Sequence, residues 1–447
     1  LSGETIVLGG SPIVLNQDLT LDGSMLAEPL TLSGGSNNNG ILEPGESRVL
    51  EVPAGVTATL RGLRLANGQV DVNTATLAGR GGLVLNQGIL TLERCELTAG
   101  QAFHGGGIAN HGDGELTLLD SIVSSCDAAS LGGGIFHEGV LLTLTNSTLH
   151  DNKAVSGGGL ANTRGGFLTQ VTFYNNVVSE HGGAIYNENT EVLISANLTL
   201  EHCTITGNEA AGSSGGGGIL IDSGTIAMLS SIVAGNTAAK DPNISGSLSS
   251  DFNNLTSGDP QLMPFGNYGG PTPTLPPDVG SPALGNAFAP SMQITDQRGW
   301  PRVFGSGPDI GAVERWPTGY YLWISSFFPG ETDLATIGPE ASPAEDGVAN
   351  VMKFAFGIPP MADSSAAHPR AAVSGAGAFG LEFERSLSNF VLYSLEATDD
   401  LMEEFLPAGA FQVETTPLGH GREVARFFLN APPGPHLFLR LKVELPE

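Results

Sequence analysis

Basic residues are scarce: 18 Lys and Arg stand against 46 Asp and Glu, which leaves a formal net charge of -28. So acidic a surface repels phosphate backbones and anionic headgroups, which excludes nucleic acid and anionic membrane surfaces as partners. Long apolar runs are also missing: no stretch of about 18 apolar residues occurs, so insertion as a membrane-spanning helix is not expected. The first residues, "LSGETIVLGG", have no charged leader followed by an apolar core. Any export signal is therefore expected to have been removed.

Cysteine is rare and odd in number, at Cys95, Cys126 and Cys203. A disulfide framework needs pairs, and none of the three has metal-ligand spacing, so they read as small buried apolar residues. Charged residues make up 14% of the chain and aromatics 6%, while there are 63 Gly and 28 Pro. That mixture argues against long amphipathic helices and for many short strands joined by tight turns.

The glycines are in register. "GGLVLNQG" at Gly81, "GGGIAN" at Gly105, "GGGIFHEG" at Gly132, "GGGLAN" at Gly157, "GGAIYNEN" at Gly182 and "GGGILIDSG" at Gly216 each close on an apolar residue, at Leu83, Ile108, Ile135, Leu160, Ile185 and Ile219, with intervals of 25, 27, 25, 25 and 34. A fixed period of this length marks stacked units. A second alternating segment follows each cluster: "LTLERCEL" from Leu90, "LTLLDSIV" from Leu116, "LTLTNSTL" from Leu142, "FLTQVTF" from Phe167, "LTLEHCTI" from Leu198 and "IAMLSSIV" from Ile226. These segments are too short and too β-branched for a helical solenoid. What remains is a parallel β-helix with about three strands per turn, right-handed as β-crossover-β connections are.

One column of this register reads Cys95, Ser121, Ser147, Val171, Cys203 and Ser231. Five residues on, another reads Gly100, Cys126, Asn152, Asn176, Asn208 and Asn236. Asn152, Asn176, Asn208 and Asn236 are expected to form a structural ladder, because stacked amides can bond both to buried turn backbone and to one another. His150 and Asp151, beside that column, vary between turns and read as a solvated turn.

These repeats resemble those of polymorphic-outer-membrane-protein and pectate-lyase-like β-helices, and "SRVLEVPAGVTATLRGLRLANG" (47–68) is similar to the early turns of such proteins. "SSIVAGNTAAKDPNISG", "DPQLMPFGNYGGPTPTLPPDVGSPALGNA" and "TDQRGWPRVFGSGPDIGAVE", in that order, resemble the C-terminal end of choice-of-anchor Q proteins. The resemblance implies a bacterial, secreted or surface-attached β-helix. It brings no catalytic residues onto Asp296, Arg298, Arg302, Asp309 or Glu314, which are expected to form an ion-pair cluster capping the final turn against edge-to-edge aggregation. "SPAEDGVANVMKFAFGIPP" (342–360) places apolar residues on one helical face, with Asp346 as N-cap and Gly357 as the stop. It resembles the aspartate-rich hinge of large secreted proteins of the Verrucomicrobia-Planctomycetes type. Those hinges look calcium-binding, but Glu345 and Asp346 alone supply few oxygen ligands. Beyond 377, alternating segments such as "AFGLEFERS" and "LFLRLKVEL" read as a β-sandwich.

The expected chain is all-β: a right-handed parallel β-helix of about ten turns with an N-terminal cap (1–250), its capping segment (251–316), a linker with one short helix (317–376) and a small antiparallel β-sandwich (377–447). No cofactor is expected. A β-helix lyase needs a Lys or Arg base beside acidic calcium ligands, and a hydrolase needs clustered carboxylates. Neither pattern is visible: Arg80 and Arg94 lie turns away from Lys153, and Asp120, Glu138, Asp151 and Glu188 stand mostly singly at turns. The expectation is extracellular adhesion or structural coverage, with cell-surface glycans or copies of the chain itself (head-to-tail or lateral assembly) as partners. A self-assembling filament is one alternative. A polysaccharide-binding or polysaccharide-degrading protein, with a groove near His104, His111 and Asp113, is the other.

Overall fold

The computed structural model describes the chain except residues 36–44, 190–195, 214, 290–292, 305–306, 317, 330, 332, 357, 363–368, 375–377, 387–390, 399–405, 408–410, 420–421, 430–437 and 446–447. It divides into two units, Leu1–Arg315 and Trp316–Glu447.

The first unit is a parallel β-helix. Three nine-stranded parallel sheets and one six-stranded parallel sheet run along it, each strand pairing with its counterpart one coil away. Sheet I includes Glu96–Thr98, Ile122–Ser124, Thr148–His150, Thr172–Tyr174, Thr204–Thr206 and Ile232–Val233. Sheet II is the six-stranded one, from Gln101–His104 to Thr237–Ala238. Sheet III contains Val84–Asn86, Ile108–His111, Ile135–Glu138, Leu160–Asn162, Ile185–Asn187 and Ile219–Ile221, and sheet IV contains Glu115–Leu119, Leu141–Thr145 and Asn197–Glu201. Among the described residues nine strands stack in each of the three long sheets, in line with a β-helix of about ten turns. In the six coils that carry sheet II, a coil has four strands rather than three.

Strand alternation creates the core. Leu97, Val123, Leu149, Phe173, Ile205 and Val233 are register partners on sheet I and are fully buried. Leu116, Leu142, Leu198 and Ile226 are buried in one inward column of sheet IV, with Gly166 between Leu142 and Leu198. Each such side chain contributes roughly 1.5–3 kcal/mol by leaving water. Cys95, Cys126 and Cys203 are free, buried thiols, and all three belong to the same core.

The glycine clusters carry the chain from sheet II into sheet III. Gly105 has a φ of 64°, which favours glycine, and a Cβ on Gly106 would stand 2.6 Å from both the N and O of Asp127. Sheet II therefore packs its backbone directly on the following segment, and only a residue without a side chain leaves room.

The second unit holds helices α1 (Thr318–Phe327), α2 (Leu334–Ile337) and α3 (Asn350–Phe356), so the described residues of the linker carry three helices where one was expected. Two antiparallel sheets follow. One orders Arg370–Val373, Phe379–Ser386, Arg422–Leu429 and Phe411–Gly419; the other orders Leu406–Pro407, Leu392–Thr398 and Phe438–Glu444. Phe383 joins them, stacked on Tyr393 at 5.6 Å. Because Arg370–Val373 pairs with Phe379–Ser386, the sheet begins inside the segment read as linker.

Candidate functional site

The four ladder asparagines are fully or almost fully buried on one line. Asn152 Nδ2 donates to Val123 O (3.0 Å) and to Asn176 Oδ1 (2.9 Å), Asn176 Nδ2 to Asn208 Oδ1 (2.9 Å), and Asn208 Nδ2 to Asn236 Oδ1 (2.9 Å). Each Oδ1 also accepts a backbone N–H from the preceding coil, as Asn152 does from Cys126. A second buried line went unread in the sequence: Asn86, Asn110, His137, Asn162 and Asn187 on sheet III. Asn86 Nδ2 donates to Asn110 Oδ1 (2.7 Å) and Asn162 Nδ2 to Asn187 Oδ1 (2.7 Å). Its signal was an Asn or His two residues after the closing apolar residue in four clusters, at Asn110, His137, Asn162 and Asn187, with Asn86 three residues after Leu83.

His137 replaces an asparagine in that line. Asn110 Nδ2 stands 3.0 Å from its Nδ1, and its Nε2 stands 3.0 Å from Gly165 O. These partners assign Nδ1 as acceptor and Nε2–H as donor. Burial holds the imidazole near pKa 4.

Described residues between 262 and 314 lie along the outer face of sheet I as a strap that touches several coils. Thr148, Thr172 and Thr204, outward-facing register partners, are buried beneath it. Thr148 Oγ1 donates to Pro273 O (2.8 Å), Thr172 Oγ1 to Gln297 Oε1 (2.6 Å), and Ala312 N donates to Thr204 Oγ1 (2.9 Å). At the far end Ile232 and Ala234 pack with Ala283, Ala287 and Ile310. The outward threonines supply hydroxyls that a covering irregular backbone needs as partners.

Within the strap, Asp296 and Arg298 form an ion pair at 2.7 Å, and the Arg298 guanidinium lies 3.6 Å over the Trp300 ring. The other expected ion-pair residues mainly bind backbone. Arg302, fully buried, donates to Gly311 O (2.8 Å) and Ala312 O (2.9 Å), and Asp309 accepts from the N–H groups of Gly285 and Arg315 (2.7 Å each). Glu314 Oε2 accepts from Asp309 N (2.8 Å). Burial pushes Asp309 up to about 6 and lowers Arg302, whose charge is supported by Asp296, Glu314 and Asp309. This is a clamp on irregular backbone.

In the second unit Asp346 does not cap α3, which begins at Asn350; its Oδ1 accepts from Val348 N (3.1 Å) and Ser342 Oγ (3.1 Å). Gly357 lies outside the described residues. The fully buried Lys353 ammonium sits 2.9 Å from Asp346 Oδ2 and donates to Pro360 O (2.7 Å) and Ala362 O (3.1 Å). An ammonium thus fills the position beside Asp346 considered for calcium, and Glu345 lies in a turn with a φ of 55°. Among the described residues, no three His, Cys, Asp or Glu are grouped to hold a metal.

The surface with most chemistry is the corner where sheet II turns into sheet III. Arg80, which bridges to His104 one coil on, reaches Glu138 and His111; all three side chains are partly buried. His104 stacks on Phe136 (ring centroids 4.8 Å apart), and the Arg80 guanidinium lies 5.4 Å from the same ring. Leu131 N donates to His104 Nδ1 (3.3 Å); burial, then the Arg80 charge, bring His104 down to about 4. Asp113 is exposed in the turn after His111. The line continues in later coils. Ser156 and His181 follow His104 and Leu131, and Ala161 and Tyr186 follow Phe136. Burial and the carboxylates of Glu188, Asp222 and Glu180 push the Tyr186 hydroxyl up.

Residues 58–238 match the family model described as right handed beta helix region. No curated protein and no solved structure matches the chain. Among the described residues no helix is long and apolar enough to cross a membrane.

Proposed function

We propose that this chain is an extracellular β-helix that works by contact, holding a surface glycan polymer along the corner between sheets II and III, rather than by turning a substrate over. The observation that carries the reading is the recurrence of that corner. Tyr186, partly exposed, and Phe136, buried beneath the His104 and Arg80 side chains, occupy one outward column two coils apart, about 10 Å at the strand spacing. A surface that repeats along an axis complements a ligand that repeats, and an extended polysaccharide offers hydroxyls and apolar ring faces in alternation. The Arg80, His111 and Glu138 cluster is internally bonded, which suits orientation of a bound chain better than proton transfer.

The test is a polysaccharide retention assay with purified protein, followed by sizing of the polymer after incubation. Retention of at least one extended glycan, weakened tenfold or more by Tyr186→Ala and with polymer length unchanged, supports the reading. Absence of retention overturns it, and shortening of the polymer replaces it with a degradative function.

A further inference from the structure

The corner between sheets I and II, on the other side of sheet II, carries a separate cleft of about 380 Å³ lined by Gln101, Ser125, Asp127, Asp151, Lys153 and Asn175, with the backbone around Cys126 and Val177. That volume lies within the range of small-ligand pockets. The cleft is built on a repeat. Ser125, Asp151 and Asn175 hold the same turn position in successive coils, with φ of 54°, 56° and 54°. Their side chains are therefore displayed in a row at roughly 4.8 Å intervals. Asp127 and Lys153 are register partners on neighbouring strands of sheet II and flank that row.

The row is ordered before any ligand arrives. Asp151 Oδ2 stands 2.6 Å from His150 Nδ1, and Asp151 Oδ1 accepts from Asn175 Nδ2. His150 is itself held against the Phe265 ring of the strap at 5.1 Å. A further observation asks for a ligand: Gln101 Oε1 is buried without a hydrogen-bond partner. A buried acceptor left unpaired costs about 1–3 kcal/mol, which a bound donor recovers.

We infer that this cleft is a subsite for a neutral, hydroxyl-rich sugar chain laid across the coils, in which Asp151 and Asn175, one coil apart, bind hydroxyls of one unit and Gln101, two coils before Asp151 and roughly 10 Å away at the strand spacing, binds a hydroxyl further along the chain. Planar carboxylate and amide groups accept from or bridge neighbouring hydroxyls, and the interval between successive coils approximates the distance between hydroxyls across one six-membered sugar ring. Charge selects the class. Two carboxylates face one ammonium here, so an anionic sugar such as a uronate meets net repulsion, whereas a neutral sugar meets none. The inference rests on the glycan-contact reading above but places a second site away from the corner that holds Tyr186.

The experiment is isothermal titration of the full chain with neutral oligosaccharides of four to six units, with uronate oligosaccharides of equal length for comparison. Asp151→Asn and Gln101→Leu are compared with the unmodified chain and with Tyr186→Ala. Saturable binding of a neutral oligosaccharide, weakened tenfold or more by Asp151→Asn and by Gln101→Leu and retained in Tyr186→Ala, is the expected result. Uronates binding as well as neutral oligosaccharides, or binding that both cleft variants leave intact, overturns the inference. Polymer retention lost in Tyr186→Ala with no oligosaccharide binding at the cleft overturns this site alone. Absence of any glycan binding overturns both.

Discussion

Arg302 Nη1 stands 3.2 Å from Nδ1 of His202, a residue 100 positions earlier in the chain, and both side chains are buried. This pair joins the strap to the coil it covers. Burial and the neighbouring guanidinium hold His202 near pKa 2, so the imidazole stays neutral and its Nδ1 accepts from Arg302.

Arg302→Met therefore removes the donor that satisfies two strap carbonyls and His202, and it takes away a buried positive charge that faces Asp309 and Glu314, while Asp296 keeps its ion pair with Arg298. Removing one partner of a buried charged cluster costs about 3–5 kcal/mol. Denaturant unfolding is expected to show that loss, with earlier protease cleavage within 262–314. A midpoint within about 0.5 kcal/mol of the parent, the usual range for surface substitutions, would show that the clamp is not structural.

The amide ladder predicts a smaller, localised loss. Asn176→Ala removes the donor to Leu149 O (2.9 Å) and to Asn208 Oδ1, and the acceptor for Asn152 N (3.1 Å). At about 1–3 kcal/mol for each buried group left unpaired, partly relieved by relaxation, the expected cost is about 2–4 kcal/mol. Amide hydrogen exchange would locate it, with faster exchange at Asn152 and Thr172–Tyr174 than at Leu50–Val52. Uniform exchange across all coils would contradict the ladder's local role.

Acid should weaken the β-helix before it weakens an ordinary acidic protein. His137 and His104 are held at about 4 against an ordinary 6.5, and His202 lower still. The unfolded chain takes up these protons first, so the stability is full above pH 6.5 and falls as pH drops toward 4. For buried His137 alone the loss reaches about 3 kcal/mol. Asp309 acts in the opposite sense: its folded value of about 6 exceeds 3.8, so its contribution is lost as pH rises through 6. Burial also raises Asp120 and Asp127, by less than Asp309, but the three imidazoles carry the larger shifts, and denaturation midpoints should fall between pH 6.5 and 4.5. His137→Asn, which continues the asparagine line, should flatten that slope; an unchanged slope would remove His137 from the account.

The coil repeat is legible because every coil solves the same problem. Each needs an alternating strand, a tight turn and a glycine where sheet II packs against the next segment, so Gly105, Gly132, Gly157 and Gly182 recur in register. Sheet II itself was not legible. "QAFH", "DAASL" and "KAVS" are short and rich in small residues, and their pairing is broken by register shifts. The strap was harder still, since its placement depends on contacts such as Thr172 with Gln297, 125 residues apart, and on irregular backbone without a period. For the same reason Arg80 and Glu138, 58 residues apart, read as isolated turn residues although the coil stacks them together. Periodicity reveals what repeats, and the candidate surfaces arise where one coil differs from the next.

The thiols offer a direct probe of the core. Burial pushes Cys95 to about 11 and Cys126 and Cys203 to about 12, and all three are enclosed by neighbouring coils. Thiolate is the reactive form, so a disulfide reagent at pH 8 should label none of the three in the folded chain and all three in denaturant. Rapid labelling of one thiol under native conditions would mean that its coil opens.

The last prediction concerns the second unit. Lys353→Met conserves much of the side-chain length but leaves Asp346 Oδ2 and the carbonyls of Pro360 and Ala362 without the ammonium they share. A buried carboxylate without its partner costs about 3–5 kcal/mol, and the second unit should unfold at correspondingly lower denaturant, whereas the thiols of the first unit remain protected. Calcium added to the unmodified chain should leave that transition in place, because the position beside Asp346 already holds a positive charge. A calcium-dependent rise in the unmodified chain would show that the ammonium is displaced and that the Glu345–Asp346 turn binds the metal after all.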